Sequence, residues 1–294
     1  WMLTYVLMME RGVENPVPSR AQYLRVICAE MSRIRSHLRY LIMVVRALGL
    51  ENTELTLCQL LKTLSSLAQN NFGDKLMRRY IRLGGVAHDL DDVLLGQLEA
   101  KLNLFYDCFR VGMDSFVSHS LVQNRLQGLG IITPYLAQQH MLTGPGARAL
   151  GLNSDLRSPS EPGILIYSEL NYTPVCEMGG DAFDRLTVHI REVIASIHLM
   201  KQCCRQISFG PSFSERQMAF EQLKEQRSIC VEGARGQISM TVHLNRRPSL
   251  EKITIQTADK IALELFLELA KGLPLEDFFL LYASMDILPQ TILR

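Results

Sequence analysis

The sequence lacks the cysteine patterns that mark a metal-binding or disulfide-linked protein. Its seven cysteines are scattered, and no two of them form a C-x-x-C pair. An odd, scattered set is typical of a reducing compartment. It also offers no recognisable ligand set for zinc or for an iron–sulfur cluster. We therefore expect this chain to bind no metal cofactor of its own.

Long apolar runs and an excess of one charge are missing as well. The longest apolar stretches, such as residues 41–45, are interrupted by charge within a few positions, whereas a membrane-spanning helix needs roughly 20 apolar residues. Lysine and arginine number 31 against 30 aspartates and glutamates, which gives a net charge of +1. This balance gives no electrostatic reason for a nucleic-acid partner. We expect neither a direct membrane span nor binding to nucleic acid.

The motifs of a self-contained active site are absent too. The patterns H-E-x-x-H and G-x-S-x-G, the Walker-type loop and the dinucleotide fingerprint do not occur. His88 and the aspartates within residues 89–92 could bind a metal, but the helix dipole explains acidic residues at a helix start more simply. The segment TGPGAR at 143–148 could hold an anion on backbone N–H groups, but a plain turn is favoured. The residues alone favour an interaction or scaffold role.

The most informative stretch that is present covers residues 179–207, whose apolar side chains recur at alternating steps of three and four. This spacing predicts one long helix with a single apolar stripe. Asp181 is suited to accept a hydrogen bond from the first turn. We expect the charged residues of the polar side to lie in water or to contact a partner; they are Asp184, Arg185, Arg191, Glu192 and Lys201.

A second long helix is predicted to begin at Arg20 and to end before Gly49. Its apolar residues again step by three and four, which places them on one face. Several arginines crowd its other surfaces, and we expect a solvated face, with contact to an acidic partner as the alternative. These arginines are Arg25, Arg33, Arg35 and Arg39.

The rest of the chain is predicted to be mainly helical with small β elements, an α+β fold. Residues 1–9 fit a strand end or a buried helix, and residues 228–242 and 252–256 alternate as strands do. Ser115 is expected to cap a helix, and Val93 to face the core. The further helices are predicted over residues 54–71, 89–110, 115–127, 134–142, 216–226, 257–271 and 276–283.

We divide the chain into three parts. Residues 1–19 are interpreted as the remnant of an N-terminal segment and a loop. Residues 20–207 form a helical core that contains a long ordered loop at 143–168, rich in Gly, Pro and Ser. Residues 208–294 form a C-terminal α/β part packed on that core.

Six blocks of sequence, in register over nearly the whole chain, resemble one family. It is the quinone-site ("forty-nine-kilodalton") subunit of respiratory complex I, NADH:quinone oxidoreductase, which is related to the large subunits of nickel–iron hydrogenases. The blocks are YVLMM at 5–9, RAQYLRVICAEMSRI at 20–34, RYIRLGGVAHDL at 79–90, GGDAFDRLTVHIREVIASIHLMKQC at 179–203, VEGARGQISM at 231–240 and SMDILPQTILR at 284–294.

The resemblance implies a central long-helix bundle like that of the hydrogenase large subunit. It also implies partners: a small subunit that carries the terminal four-iron iron–sulfur cluster, other peripheral-arm subunits, and the heel subunit of the membrane arm. In the family, quinone is the substrate and is reduced in a cavity between this subunit and the cluster-bearing one. Its reduction drives proton pumping. The implied location is the matrix side of the mitochondrial inner membrane, or the cytoplasmic face of a bacterial plasma membrane.

Three quinone-binding residues follow from the resemblance, namely Tyr5, Asp286 and Leu288. Tyr5 matches the tyrosine that hydrogen-bonds the quinone head group, and a phenol can both donate to a quinone oxygen and pass a proton. Asp286 and Leu288 match positions that line the cavity near the C-terminus. Leu288 and Thr291 also stand where hydrogenases carry metal-binding cysteines, so a nickel–iron centre is excluded.

The sequence departs from the family at three positions. Ala47 replaces an aspartate near the end of the second helix, and Met77 replaces a histidine beside the terminal cluster. Gln237 replaces an acidic residue after the VEGARG-like turn. An N-terminal β segment that carries a quinone-contacting histidine is not found in this sequence. Two hypotheses follow: a catalytic subunit that forms half of a quinone site, or a diverged, catalytically degenerate member with a structural or assembly role.

Overall fold

The computed structural model describes residues 2–11, 17–158, 165–214, 226–244 and 250–289. The long helices are α1 (Met2–Glu10), α2 (Ser19–Ala47), α3 (Glu51–Phe72), α4 (Asp92–Val117), α8 (Ala182–Gln206), α9 (Asp259–Leu269) and α10 (Leu275–Ser284). The short ones are α5 (Ser120–Leu126), α6 (Pro134–Gln139), α7 (Pro145–Arg148) and a 3₁₀ turn, Ile166–Glu169. The strands are β1 (Ile81–Arg82), β2 (Gly85–Val86), β3 (Gln226–Gly233), β4 (Gly236–Leu244) and β5 (Leu250–Gln256). The predicted α+β fold class is confirmed.

Helices α2 and α8 lie against each other at the centre of the fold. The Asp181 carboxylate accepts a hydrogen bond from the Asp184 backbone N–H at 2.9 Å, so the predicted N-cap of α8 is confirmed. The predicted stripe is buried as well, since Leu186, Val193 and Ile197 are fully inaccessible to solvent. The seam between the two helices removes apolar surface from water on both, which is the main stabilising term for a helix pair.

Helix α4 is longer than predicted. Its buried stripe continues through Met113 and Phe116, so Ser115 lies inside the helix and does not cap the next one. His119 caps α5 instead, by accepting from the Leu121 N–H at 3.2 Å. Val93 was also assigned wrongly: it is exposed, because the stripe begins at Leu95.

The two small sheets are antiparallel. Strands β1 and β2 form a hairpin in the RYIRLGGV block, and β3, β4 and β5 form a meander in that order. Gly233 pairs with Gly236 at the β3–β4 turn, which confirms the hairpin predicted from these two glycines. Helix α1, the helical alternative for residues 1–9, contacts β3, and α10 packs against α2 and α8.

The predicted helix at 216–226 falls mostly outside the described residues, and its last residue begins β3. The division into three parts stays a prediction.

The arginines of α2 are mostly buried, so the solvated face predicted for them is wrong for three of the four. Arg25 forms a bidentate pair with Glu10 at 2.6 and 2.7 Å. Arg33 donates to the carbonyl oxygens of Gly233 and Glu232, each at 2.8 Å. Arg35 is 7% exposed, whereas Arg39 faces solvent. These buried guanidinium groups hold the hairpin β3–β4 and the N-terminal helix to α2.

The polar side of α8 is buried in part as well. Glu192 is fully buried and accepts from Arg148 Nε and Nη2 at 2.8 and 2.5 Å. Arg148 Nη1 also lies 2.9 Å from Glu232 and 3.3 Å from Asp155. We name this group the central ion cluster; its members are Glu30, Arg33, Arg148, Asp155, Arg157, Glu192 and Glu232.

Most members of the central ion cluster hold one another ionised despite their burial; Glu232 is the exception, since burial raises its pKa. Arg157 lies 2.7 Å from Asp155 and 3.3 Å from Glu30. Burial opposes the charge of Glu192, but Arg148 and a hydrogen bond from His37 outweigh it and hold the pKa of Glu192 well below its usual range. Burial likewise opposes the charge of Glu30, while Arg33 and Arg157 lower its pKa. Each charge therefore depends on its partners.

Removal of one partner should therefore destabilise the fold strongly. We expect Arg148→Met to lower the free energy of unfolding by about 3–5 kcal/mol, because it leaves buried carboxylates without a counter-charge. The matched control is Arg46→Met, which removes an Arg–Glu pair whose arginine side chain is 67% exposed and should change stability little. Denaturant unfolding of the full chain measures both. Equal effects of the two substitutions would contradict the role given to the cluster.

Candidate functional site

A cavity of about 480 Å³ lies between α1, α2, the loop before β1 and the β3–β4 hairpin. Its apolar lining includes Leu3, Met77 and Ile81. Its polar lining includes Arg33, Arg78, Glu232, Arg235 and Asp259. A mostly apolar space with a few convergent charged groups is the usual form of a small-molecule site. We call it the larger cavity.

Arg235 and Asp259 form one polar wall of the larger cavity. Arg235 Nε donates to Asp259 Oδ1 at 3.0 Å, and its Nη1 donates to Ser36 Oγ at 3.2 Å. The backbone N–H of Leu288 donates to the same Asp259 oxygen at 3.0 Å. Asp259 therefore ties the C-terminal segment to the hairpin that carries Arg235.

A smaller cavity of about 30 Å³ adjoins this wall and shares Arg235 and Ala258 with the larger one. Its polar lining includes Arg185, His189 and Asp286. A site needs roughly 10–15 Å³ and several polar partners to hold an ordered water. The volume and lining of the smaller cavity meet both conditions.

Asp286 is held in an unusual state at the smaller cavity. Its φ is 50°, a left-handed conformation that is uncommon for residues other than glycine. Its Oδ2 is buried and has no hydrogen-bond partner among the described residues. Burial raises the pKa of Asp286 to about 8, with Asp259 adding to the rise and Arg235 opposing it. The carboxyl is therefore mostly protonated at neutral pH and can donate a hydrogen bond.

His189, on the other side of this cavity, belongs to a buried histidine pair. The Nδ1 atoms of His37 and His189 lie 2.8 Å apart, and His37 Nε2 lies 3.1 Å from Glu192 Oε2. Burial lowers the pKa of both rings, so both are neutral. Because ionised Glu192 can only accept, His37 donates from Nε2 and accepts at Nδ1 from His189. Through His37, Glu192 thus fixes the tautomer of His189, the ring that lines the smaller cavity.

The three residues that the resemblance assigned to quinone binding lie in different places. Asp286 lines the smaller cavity, while Leu288 lines neither and is bound through its N–H to Asp259. Tyr5 is half-buried on α1 and packs against the core. It lines neither cavity, although its helix neighbours Met2, Leu3 and Thr4 line the larger one. Their assignment to quinone stays a prediction.

The weaker candidates from the sequence have structural explanations. His88 Nε2 lies 3.0 Å from the Asn71 carbonyl oxygen, and Asp89 pairs with Arg20 at 2.8 Å. Gly144 approaches the β3–β4 turn so closely that a Cβ on it would lie 2.4 Å from the Gly236 Cα. The TGPGAR segment therefore needs glycine for packing. Within the part of the chain that the structure describes, no group of three His, Cys, Asp or Glu side chains could hold a metal ion.

The positions that depart from the family lie at separate sites. Met77 is buried at a φ of 54° and lines the larger cavity. Ala47 is the last residue of α2 and faces solvent. Gln237 accepts from the Cys230 thiol at 3.7 Å. Only Met77 therefore bears on either cavity.

Comparison with known proteins identifies the family. Residues 55–228 match the family model described as "Respiratory-chain NADH dehydrogenase, 49 Kd subunit". An NADH-quinone oxidoreductase subunit of Clostridium beijerinckii is 28% identical over 284 residues, which cover 97% of this chain and 76% of that protein. An NAD(P)H-quinone oxidoreductase subunit of Prochlorococcus marinus is 25% identical over 315 residues, 97% of this chain and 78% of that protein.

A third relative is an F(420)H(2) dehydrogenase subunit of Methanosarcina mazei, 31% identical over 211 residues, which cover 72% of this chain and 56% of that protein. All three relatives are subunits of oxidoreductases. The chain belongs to the family of the forty-nine-kilodalton subunit of respiratory-chain NADH dehydrogenase, complex I. The comparisons do not favour the degenerate, purely structural alternative. None of the helices in the described ranges has the length and hydropathy to cross a membrane.

The protonation of Asp286 can be tested through stability. Because the pKa of Asp286 is raised in the folded chain, the unfolded chain loses the Asp286 proton first as pH rises. The group then lowers the free energy of unfolding by up to about 1.4 kcal/mol per pH unit between its ordinary pKa and about 8. Asp286→Asn should remove that slope.

The control for this titration is Asp107→Asn, which changes an exposed aspartate on α4. Chemical unfolding across this pH range measures the slope for the wild type and both variants. Identical pH profiles for the wild type and Asp286→Asn would show that Asp286 is ionised like an ordinary carboxyl.

Proposed function

We propose that this chain forms half of a quinone-reduction cavity, and that a neighbouring subunit with a four-iron iron–sulfur cluster forms the other half. The observation that carries the proposal is the larger cavity, joined through Arg235 to a carboxyl that is protonated at neutral pH. Reduction of a quinone to a quinol takes two electrons and two protons. The cluster would supply the electrons, and this chain would supply hydrogen-bond donors and protons.

Each proposed residue has a distinct chemical task. Asp286 would donate the proton on its buried carboxyl, and Arg235 would stabilise the negative charge that develops on a quinone oxygen. Tyr5 would donate its phenol O–H to the other oxygen, from a helix that already supplies lining residues. Leu288 would contact the apolar part of the quinone. We propose that this chain binds no cofactor of its own; it positions the substrate and supplies protons to it.

The partners and location follow from the same proposal. The chain would contact the cluster-bearing small subunit, further peripheral-arm subunits and the heel subunit of the membrane arm. It would lie on the matrix side of a mitochondrial inner membrane or on the cytoplasmic face of a bacterial plasma membrane. Quinone reduction would drive proton translocation in the membrane arm.

The proposal is tested by Tyr5→Phe in the assembled complex. Loss of one proton-donating group should lower the rate of quinone reduction at least about tenfold. NADH oxidation by an artificial acceptor that bypasses the quinone site should keep its rate. Tyr135→Phe on α6, a tyrosine that is 73% exposed, is the matched control and should leave both activities unchanged.

Two outcomes would contradict this account. Full quinone reductase activity in Tyr5→Phe would remove the role proposed for that residue. An iron–sulfur cluster bound by the purified chain without its partners would contradict the division of labour between the subunits.

A further inference from the structure

A third concave surface lies beside the loop that carries Met77. It is a groove of about 370 Å³ between α2, α3 and residues 74–78. Four of its lining side chains are cationic, whereas Asp74 is the one carboxylate among the lining residues. We call it the basic groove; its cations are Arg35, Arg39, Lys75 and Arg78.

The carboxylate of Asp74 is already engaged within its own loop. It accepts from the backbone N–H of Leu76 at 3.2 Å, and from the backbone N–H and Nε of Arg78 at 3.1 and 3.2 Å. Arg35 donates to the Lys75 carbonyl oxygen, which carries no full charge. Neither Arg39 nor Lys75 pairs with a carboxylate among the described residues. Among the described residues, Arg78 is thus the one cation of the groove that forms an ion pair with a carboxylate.

The cations of the groove also repel one another. Arg35 and Arg39 are one helical turn apart on α2, so their side chains leave the same face. Burial lowers the pKa of Arg35 and the charge of Arg39 lowers it further, while the charge of Asp74 opposes this in part. A guanidinium in this state gains from any carboxylate placed beside it, and bidentate arginine–carboxylate pairs are strong and directional.

The other surfaces of the groove define the shape of its occupant. On α3, Ser65 Oγ donates to the Leu61 carbonyl and Gln69 Nε2 donates to the Gly73 carbonyl. Leu76, on the rim, is 45% exposed. The groove therefore suits a peptide segment that carries carboxylates for the unpaired cations and an apolar side chain for Leu76.

The groove adjoins the larger cavity. Leu76 and Arg78 line both spaces, and Met77 lies between them and belongs to the larger cavity's lining. A segment bound in the groove would therefore hold the loop that forms one wall of the cavity. A subunit that closes this cavity has the groove within reach.

We propose that the basic groove is the docking site for an acidic segment of the neighbouring subunit that completes the larger cavity. The identity of that subunit as the cluster-bearing one rests on the proposed function. The acidic character of the segment rests on the groove alone. Docking would hold residues 74–78 in place and thereby fix the cavity wall at Met77.

The direct test is zero-length crosslinking of the assembled complex. A carbodiimide joins a lysine amine to a carboxylate only when the two are in contact. We expect an amide between Lys75 and an aspartate or glutamate of the cluster-bearing subunit, identified by mass spectrometry of the digested complex. A Lys75 that reacts as freely with an amine reagent in the complex as in the isolated chain would overturn the proposal. A crosslink to a different subunit would overturn it as well.

Charge reversal tests the energetic contribution. Arg39→Glu with Lys75→Glu should weaken retention of the cluster-bearing subunit at least about tenfold at physiological ionic strength, since like charges then face each other across the interface. Both side chains are exposed, so the fold should survive. Lys101→Glu with Lys271→Glu makes the same change in net charge at exposed positions outside the groove and should keep the subunit.

The outcomes separate this proposal from the proposed function. Undiminished retention in the groove variant would overturn the docking site and leave the quinone cavity standing. Loss of the subunit in the groove variant, restored when the crosslinked acid is changed to lysine, would support the docking site. That result would stand even if Tyr5→Phe kept full quinone activity.

Discussion

The fold depends on the neutralisation of charges that are buried between its two central helices. Glu192 on α8 and Glu30 on α2 lie where a hydrophobic seam would otherwise continue, and neither is exposed. Arg148 and Arg157 come from the segment after α6 and reach into the seam to pair with them. An unpaired charge in such a place would be very costly. The irregular segment of the chain is therefore held in one position relative to the bundle.

The same ion pairs position both cavities. Glu232 belongs to the central ion cluster and also lines the larger cavity. A few residues further along the hairpin, Arg235 forms the polar wall of this cavity together with Asp259. Glu192 also orients His37 and, through it, His189 at the smaller cavity. A stable charged core and the polar lining of both cavities are thus built from one network.

Local sequence patterns predicted the helices, the hairpin and the cap at Asp181, because these depend on neighbours within a turn or two. They failed for Glu192 and for the buried arginines, since most of the partners of these groups are far away in sequence. Arg148 and Glu192 are 44 positions apart, and Arg33, although it pairs with Glu30 on its own helix, also binds the distant β3–β4 hairpin. The larger cavity was missed for the same reason. Arg235 was present in the VEGARG block, but its link to Asp259 and from there to Leu288 exists only in three dimensions. The His37–His189 contact, across 152 positions, gave no local signal.

The central claim is that the larger cavity of this chain receives the quinone in the assembled complex. Photolabelling with a quinone that carries a photoreactive group on its ring tests it most directly, with the attachment sites mapped by mass spectrometry. The account predicts labels on peptides that contain residues 2–5 or 231–236, and their loss when an excess of unlabelled quinone competes. Labelling confined to surfaces of this chain away from both cavities, or to other subunits alone, would contradict it.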